Sequence, residues 1–160
     1  MRRWIVYTLV LAMALFLSPA EKTDVGDLLP VELLHIYYSN EGTVCVETDT
    51  GDFGTGETLD RALSDIKATA SGNIFLDTAD YLVIAREAIP LLPRLWEILR
   101  PATQVCLGTG ADPETARFLS AHKPGVTLND IRAGMEALPV LTQAEGRYRL
   151  EYKSGFYPSE

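Results

Sequence analysis

Apolar positions along this chain fall into short dense runs separated by stretches with helical spacing. The densest region is 74–87, IFLDTADYLVIARE, where runs at 74–76 and 81–85 flank the polar Asp77-Thr-Ala-Asp80. A run this apolar predicts a central strand covered on both faces, the middle of a layered sheet. Before it, 31–38 (VELLHIYY) and 43–48 (TVCVET) predict a β-hairpin. Ser39-Asn-Glu-Gly42 supplies the turn, with Gly42 free to take positive φ. Residues 50–56 (TGDFGTG) break the pattern and predict a connection. Leu59, Ala62, Leu63, Ile66 and Ala70 then recur on one helical face, which predicts a helix over 57–71 with Thr55 or Thr58 as N-cap.

A second helix is predicted over 88–100, with Leu92, Leu95, Trp96 and Leu99 inward and Pro101 as its stop. A strand is expected at 104–107. Asp112-Pro-Glu114 opens a third helix, and Thr127 with Asp130 resembles a capping box for a fourth, with Ile131, Met135 and Leu138 inward. Residues 147–152 alternate polar and apolar, which leaves an edge strand or a disordered tail open. The order β-β-α-β-α-β-α-α predicts a single α/β domain over 31–138. Its sheet is expected to be mixed, of about four to five strands, partly parallel, with helices packed on it. Residues 21–30 read as a linker and 139–160 as a C-terminal tail.

The first twenty residues change the picture. Arg2 and Arg3 precede an apolar run over 4–17 broken only by Thr8, and Ser18-Pro-Ala20 follows. This is the pattern of a signal peptide or a retained membrane anchor, and it predicts that the folded part lies outside the cytoplasmic membrane or is secreted. The apolar run is shorter than the ~18 residues expected of a spanning helix. Lipid attachment is excluded by chemistry, because no cysteine directly follows the run. The formal net charge is −8, and loss of residues 1–20 would remove two arginines and no acid. A surface this acidic repels phosphate backbones, so nucleic-acid partners are excluded.

Candidate chemistry is sparse. The stretch holding Asp49, Asp52, Phe53, Gly54 and Gly56 sits between a strand and a helix, where phosphate loops occur, but its spacing is wrong and it holds no lysine. It reads instead as an exposed interaction loop. Glu47, Asp49, Asp52, Glu57 and Asp60 crowd a short span without the alternation of a calcium loop, so they read as a solvated acidic edge and no metal is expected. Cys45 and Cys106 each fall within a predicted strand. In an oxidising compartment a disulfide is open to them, and the alternative is two buried thiols. His35 and His122 each stand alone. No serine, histidine and acid combine into a nucleophile pattern, so no catalytic residue or cofactor is predicted.

Four places carry a family likeness. They are Gly56-Glu-Thr-Leu59 with Ala62-Leu63; Ile74-Phe75-Leu76 followed by 81–85 and Arg86-Glu87; the helix at 88–99; and Gln104-Val-Cys-Leu107 with Gly110 and Ala116. Together they resemble the first domain of the C subunit of the Ger-type nutrient germinant receptor of spore-forming bacteria. That resemblance implies a non-enzymatic component at a membrane surface, working by contact with a membrane protein partner. The leading expectation is therefore an exported binding or assembly module. The alternatives are a secreted small-molecule-binding protein, with its ligand near 49–56 and 108–112 at the carboxyl ends of the strands, and a secreted hydrolase using carboxylates that form no recognisable pattern in the sequence.

Overall fold

The computed structural model describes residues 28–134, 137–144 and 146–152. The expected signal or anchor segment and most of the linker lie outside them, as does Met135. No helix among the described residues is long and apolar enough to cross a membrane.

Two strands buried along most of their length start the sheet. β2 (Leu33–Tyr38) and β3 (Val44–Thr48) form the expected hairpin, with Ile36 opposite Val46 and His35 opposite Glu47. Gly42 takes φ +79° in the turn, and its N–H donates to the Ser39 carbonyl at 2.9 Å. The run at 81–85 supplies β6 (Tyr81–Ile84), every residue of which is buried. β6 lies parallel between β2 and β7 (Gln104–Leu107).

The sheet is larger than the pattern suggested. Among the described residues it has seven strands, in the order β4 (Phe53–Gly56), β3, β2, β6, β7, β8 (Pro139–Ala144) and β9 (Arg147–Tyr152). Two corrections account for the difference. The glycine-rich stretch contributes β4 (Phe53–Gly56) as an edge strand where a connection was expected. The tail contributes β8 (Pro139–Ala144) and β9 (Arg147–Tyr152), so the sheet runs past 138. β8 joins β7 through one register pair, Leu107 with Val140, and pairs with β9 along its whole length. Glycine content hid β4 and Pro139 masked the start of β8, whereas β9 is the edge strand that the alternation over 147–152 had left open.

The apolar run at 74–76 is not part of the main sheet. β5 (Asn73–Phe75) pairs with β1 (Leu28–Pro30) in a separate two-stranded ribbon, and a 3₁₀ turn over Leu76–Thr78 carries the chain to β6. β1 also corrects the linker reading of 28–30.

Three helices cover one face. α1 (Leu59–Thr69) buries Leu59, Ala62, Leu63 and Ile66, and is capped by the Thr58 hydroxyl accepting from Arg61 N–H at 3.3 Å. The predicted second helix is broken into a 3₁₀ turn (Arg86–Leu91) and a single turn, α2 (Leu92–Leu95). Pro90 and Pro93 cannot donate backbone hydrogen bonds, so a continuous ladder cannot form there. Leu92, Leu95 and Leu99 still point inward. α4 (Leu128–Arg132) has the expected capping box between Thr127 and Asp130. α3 (Pro113–Ala121), N-capped by Asp112, packs alone on the opposite face against Leu33, Tyr81, Val83 and Cys106. One helix is too narrow to cover a seven-stranded sheet, and among the described residues no second helix packs on the β2-β3-β4 end of that face.

Candidate functional site

Strand alternation decides what that open end presents. His35 and Tyr37 on β2, Cys45 and Glu47 on β3, and Phe53 and Thr55 on β4 share the face of the sheet that α3 packs on, at the end away from its core contacts; His35 and Cys45 are buried there and Phe53 is exposed. After β7 the chain turns at Gly110, at φ +98°, and crosses this face to start α3. Between the hairpin and the start of α3 lies an open groove of about 510 Å³. Glu47, Asp49, Asp52 and Phe53 form one wall, and Gly110, Asp112 and Pro113 form the other.

Glu47 is the best-positioned acid in the groove. Its carboxylate accepts the Tyr37 hydroxyl at 2.8 Å and faces His35 Nδ1 at 3.2 Å. The His35 and Tyr37 rings stack at 4.7 Å between centroids, which fixes both donors. Burial lowers the His35 pKa below 6.5, outweighing the opposing hydrogen bond and charge of Glu47 and the nearby Gly108 backbone. The ring is therefore neutral at pH 7, and Glu47 accepting at Nδ1 assigns the proton to that nitrogen. His35 Nε2 is buried without a hydrogen-bond partner. The Gly108 backbone lies near enough to favour a protonated ring but falls short of hydrogen-bond geometry. Burial, then Glu47, raises the Tyr37 pKa, so its hydroxyl stays a donor.

Asp112 lies across the groove. Burial pushes its carboxyl up, but hydrogen bonds from Thr115 N–H, Thr115 Oγ1, Tyr148 and Glu114 N–H outweigh this and leave its pKa lowered. The arrangement is a set of fixed negative charges beside the half-exposed Phe53 ring. A general acid needs a carboxyl shifted the other way.

The predicted interaction loop divides. Asp49 and Asp52 line the groove, yet each also holds the local backbone or turn. Asp49 accepts from Glu32 N–H at 3.2 Å and Leu33 N–H at 3.1 Å, and Asp52 accepts the Thr50 hydroxyl at 2.7 Å. Phe53 keeps 45% of its surface exposed. Gly54 and Gly56 face the opposite side and are packing residues, which corrects their assignment to a loop. A Cβ on Gly54 would stand 2.5 Å from the Ala62 carbonyl oxygen, and one on Gly56 would stand 2.5 Å from Ala62 N. The outer edge of β4 is also closed by α1, because Thr55 N–H donates to Asp65 at 2.8 Å and the Thr69 hydroxyl to the Phe53 carbonyl at 3.3 Å.

The disulfide is corrected as well. Cys45 on β3 and Cys106 on β7 are both free and buried, with β2 and β6 between their strands. Three strand spacings amount to about 14 Å, far beyond disulfide reach. Burial pushes the Cys106 thiol up to about 12. Among the described residues no group of three or more histidine, cysteine or acidic side chains is placed to hold a metal ion. Asp60 pairs with Arg94 at 3.2 Å, away from the groove.

The expected ligand position is partly corrected too. The groove joins 49–53 to 110–113, but on a face of the sheet. β3 runs antiparallel, so Asp49 lies beside the start of β2, its N–H donating to the Leu33 carbonyl at 3.2 Å. The Tyr37–Glu47–His35 cluster was missed because His35 was read alone and Tyr37 only as a strand residue. Hairpin register was the available signal: a turn centred on 39–43 sets His35 opposite Glu47. No family model, curated protein or solved structure matches the chain.

Proposed function

We propose that the chain is a non-enzymatic binding and assembly module on the outer face of the cytoplasmic membrane. Its groove takes a protruding basic segment of a membrane protein partner. The observation that carries this reading is the Glu47 carboxylate, locked by Tyr37 and His35 in an open groove that also holds Asp49, Asp52, Asp112 and an exposed phenylalanine. Fixed carboxylates beside an aromatic face attract cationic groups without needing to reorganise. The export pattern of residues 1–20 and the germinant-receptor resemblance supply the location and the kind of partner.

The test uses the full chain. A lysine- and arginine-rich extended peptide should bind, weaken as salt is raised, and lose tenfold or more in affinity with Glu47→Gln plus Asp52→Asn. A photo-crosslinking side chain in place of Phe53 should capture a membrane protein in intact cells, and the same double substitution should abolish capture. Peptide binding indifferent to those substitutions, or a chain confined to the cytosol, would refute the proposal.

A groove of about 510 Å³ also suits a small organic cation. Calorimetry with a polyamine separates the two readings, because a small-molecule site would bind the amine more tightly than the peptide.

A further inference from the structure

Among the described residues the groove continues past Pro113. A second hollow, of about 590 Å³, follows one face of α3 and shares Asp49 and Pro113 with the groove. Pro113, Ala116, Arg117 and Ser120 recur at helical spacing and form its α3 wall. Glu32 and Asp49 form the wall on the hairpin side. The two hollows make one channel. Asp49 is held at their junction, because its Oδ1 accepts from Glu32 N–H at 3.2 Å and from Leu33 N–H at 3.1 Å.

The two walls differ in charge. Every charged residue of the hairpin wall is acidic: Asp52 and Glu47, then Asp49, then Glu32. The α3 wall changes sign, from Asp112 at its start to Arg117 five residues on. At 1.5 Å per helical residue that is about 7.5 Å along the axis, close to the ~6.8 Å between residues i and i+2 of an extended chain. Successive side chains of an extended chain point to opposite sides. Resting on the reading of the groove as a site for a basic segment, we propose that the channel fixes the charge order of that segment. An extended polypeptide turns basic side chains to the hairpin wall. On its α3 side it sets a basic residue at Asp112 and, two positions along, an acidic residue at Arg117.

The change of sign separates a polypeptide from a polyamine. Every nitrogen of a polyamine is cationic, so one extending past Asp49 brings like charge to Arg117. A polypeptide can place an acid there and still keep cations on Asp49 and Glu32. Glu32, Arg117 and Ser120 are all exposed, which makes each charge contact at this end weak. The far end of the channel therefore selects among sequences, and the half-buried, hydrogen-bonded Glu47 supplies more of the hold.

Three peptides of identical composition, blocked at both ends, test this by calorimetry with the full chain in detergent at low salt. Lys-Lys-Glu-Lys-Lys turns its acid to the hairpin wall at Asp49 in either chain direction. Lys-Lys-Lys-Glu-Lys and Lys-Glu-Lys-Lys-Lys turn it to α3, and one of them, according to chain direction, sets it at Arg117. The better of these two should bind about fivefold more tightly than the peptide with the central acid. Arg117→Gln should remove that preference, and Arg117→Glu should make pentalysine the tightest ligand of all. Arg117 is exposed, so neither change should alter the circular dichroism spectrum. Equal binding of the three peptides, weakened equally by Glu47→Gln plus Asp52→Asn, would overturn the charge order and leave the groove reading standing. A preference that survives both Arg117 variants would overturn it too. Binding of none of the peptides would overturn both readings together.

Discussion

Replacing Gly54 by alanine tests whether the glycine-rich stretch serves packing or binding. Gly54 lies on β4 with its α-carbon turned to α1. An added Cβ would stand 2.5 Å from the Ala62 carbonyl oxygen and 2.6 Å from both the Cβ and the N of Ile66. Ordinary contact begins near 3.4 Å, so the helix or strand must retreat by about 1 Å, a shift of the kind overpacked cores resist. Two of the three atoms are helix backbone, which cannot swing aside as a flexible side chain can. Retreat also loosens Ala62, Leu63 and Ile66 from the main core. Overpacking costs about 1–3 kcal/mol, and the rigid neighbours favour the upper end, ~3 kcal/mol. For a domain of this size that corresponds to roughly 10 °C in melting temperature. Gly42→Ala is the internal control. Gly42 has φ +79° and nothing within 4 Å, so only backbone strain of about 1–2 kcal/mol applies. Thermal and urea unfolding of both variants by circular dichroism should rank Gly54→Ala as clearly the less stable. If Gly54→Ala melts within about 2 °C of the wild type, the packing account of the GTG pattern is wrong.

Three further outcomes follow from the site and its supports. His35 has a folded pKa below its unfolded value of 6.5, so the unfolded chain takes up the proton first. The stability this contributes is fully present above pH 6.5 and declines as pH falls from there toward the folded pKa. Urea midpoints should therefore drop between pH 7.5 and 5.5, and His35→Gln should flatten that slope; an unchanged slope would remove His35 as its source. Tyr148→Phe loses the bonds to Asp112 and Thr115 and should cost about 1 kcal/mol. It should also raise the Asp112 pKa measured by carboxyl NMR, and a carboxyl that stays put would contradict the assigned cause. Finally, alkylation of the denatured, non-reduced chain should modify both Cys45 and Cys106, and dithiothreitol should leave the melting temperature unchanged; a protected cysteine pair would show that the strand order is wrong.

Residue pattern alone determined most of the elements, because burial period and caps are local. The hairpin of β2 and β3, the apolar face of α1, the Asp112 cap of α3 and the Thr127–Asp130 box all depend on residues within a turn or two of each other. The edge strands were harder to see, since a strand with one face in water needs few apolar residues and β4 had to keep glycine where α1 presses on it. Which acids converge was decided only by the tertiary structure. Asp49 and Asp112 are far apart in sequence, and the groove exists because a single narrow helix covers half of a wide sheet face. The separation of Cys45 from Cys106 likewise follows from strand order, which depends on long-range pairing free energy and leaves no local trace in either strand.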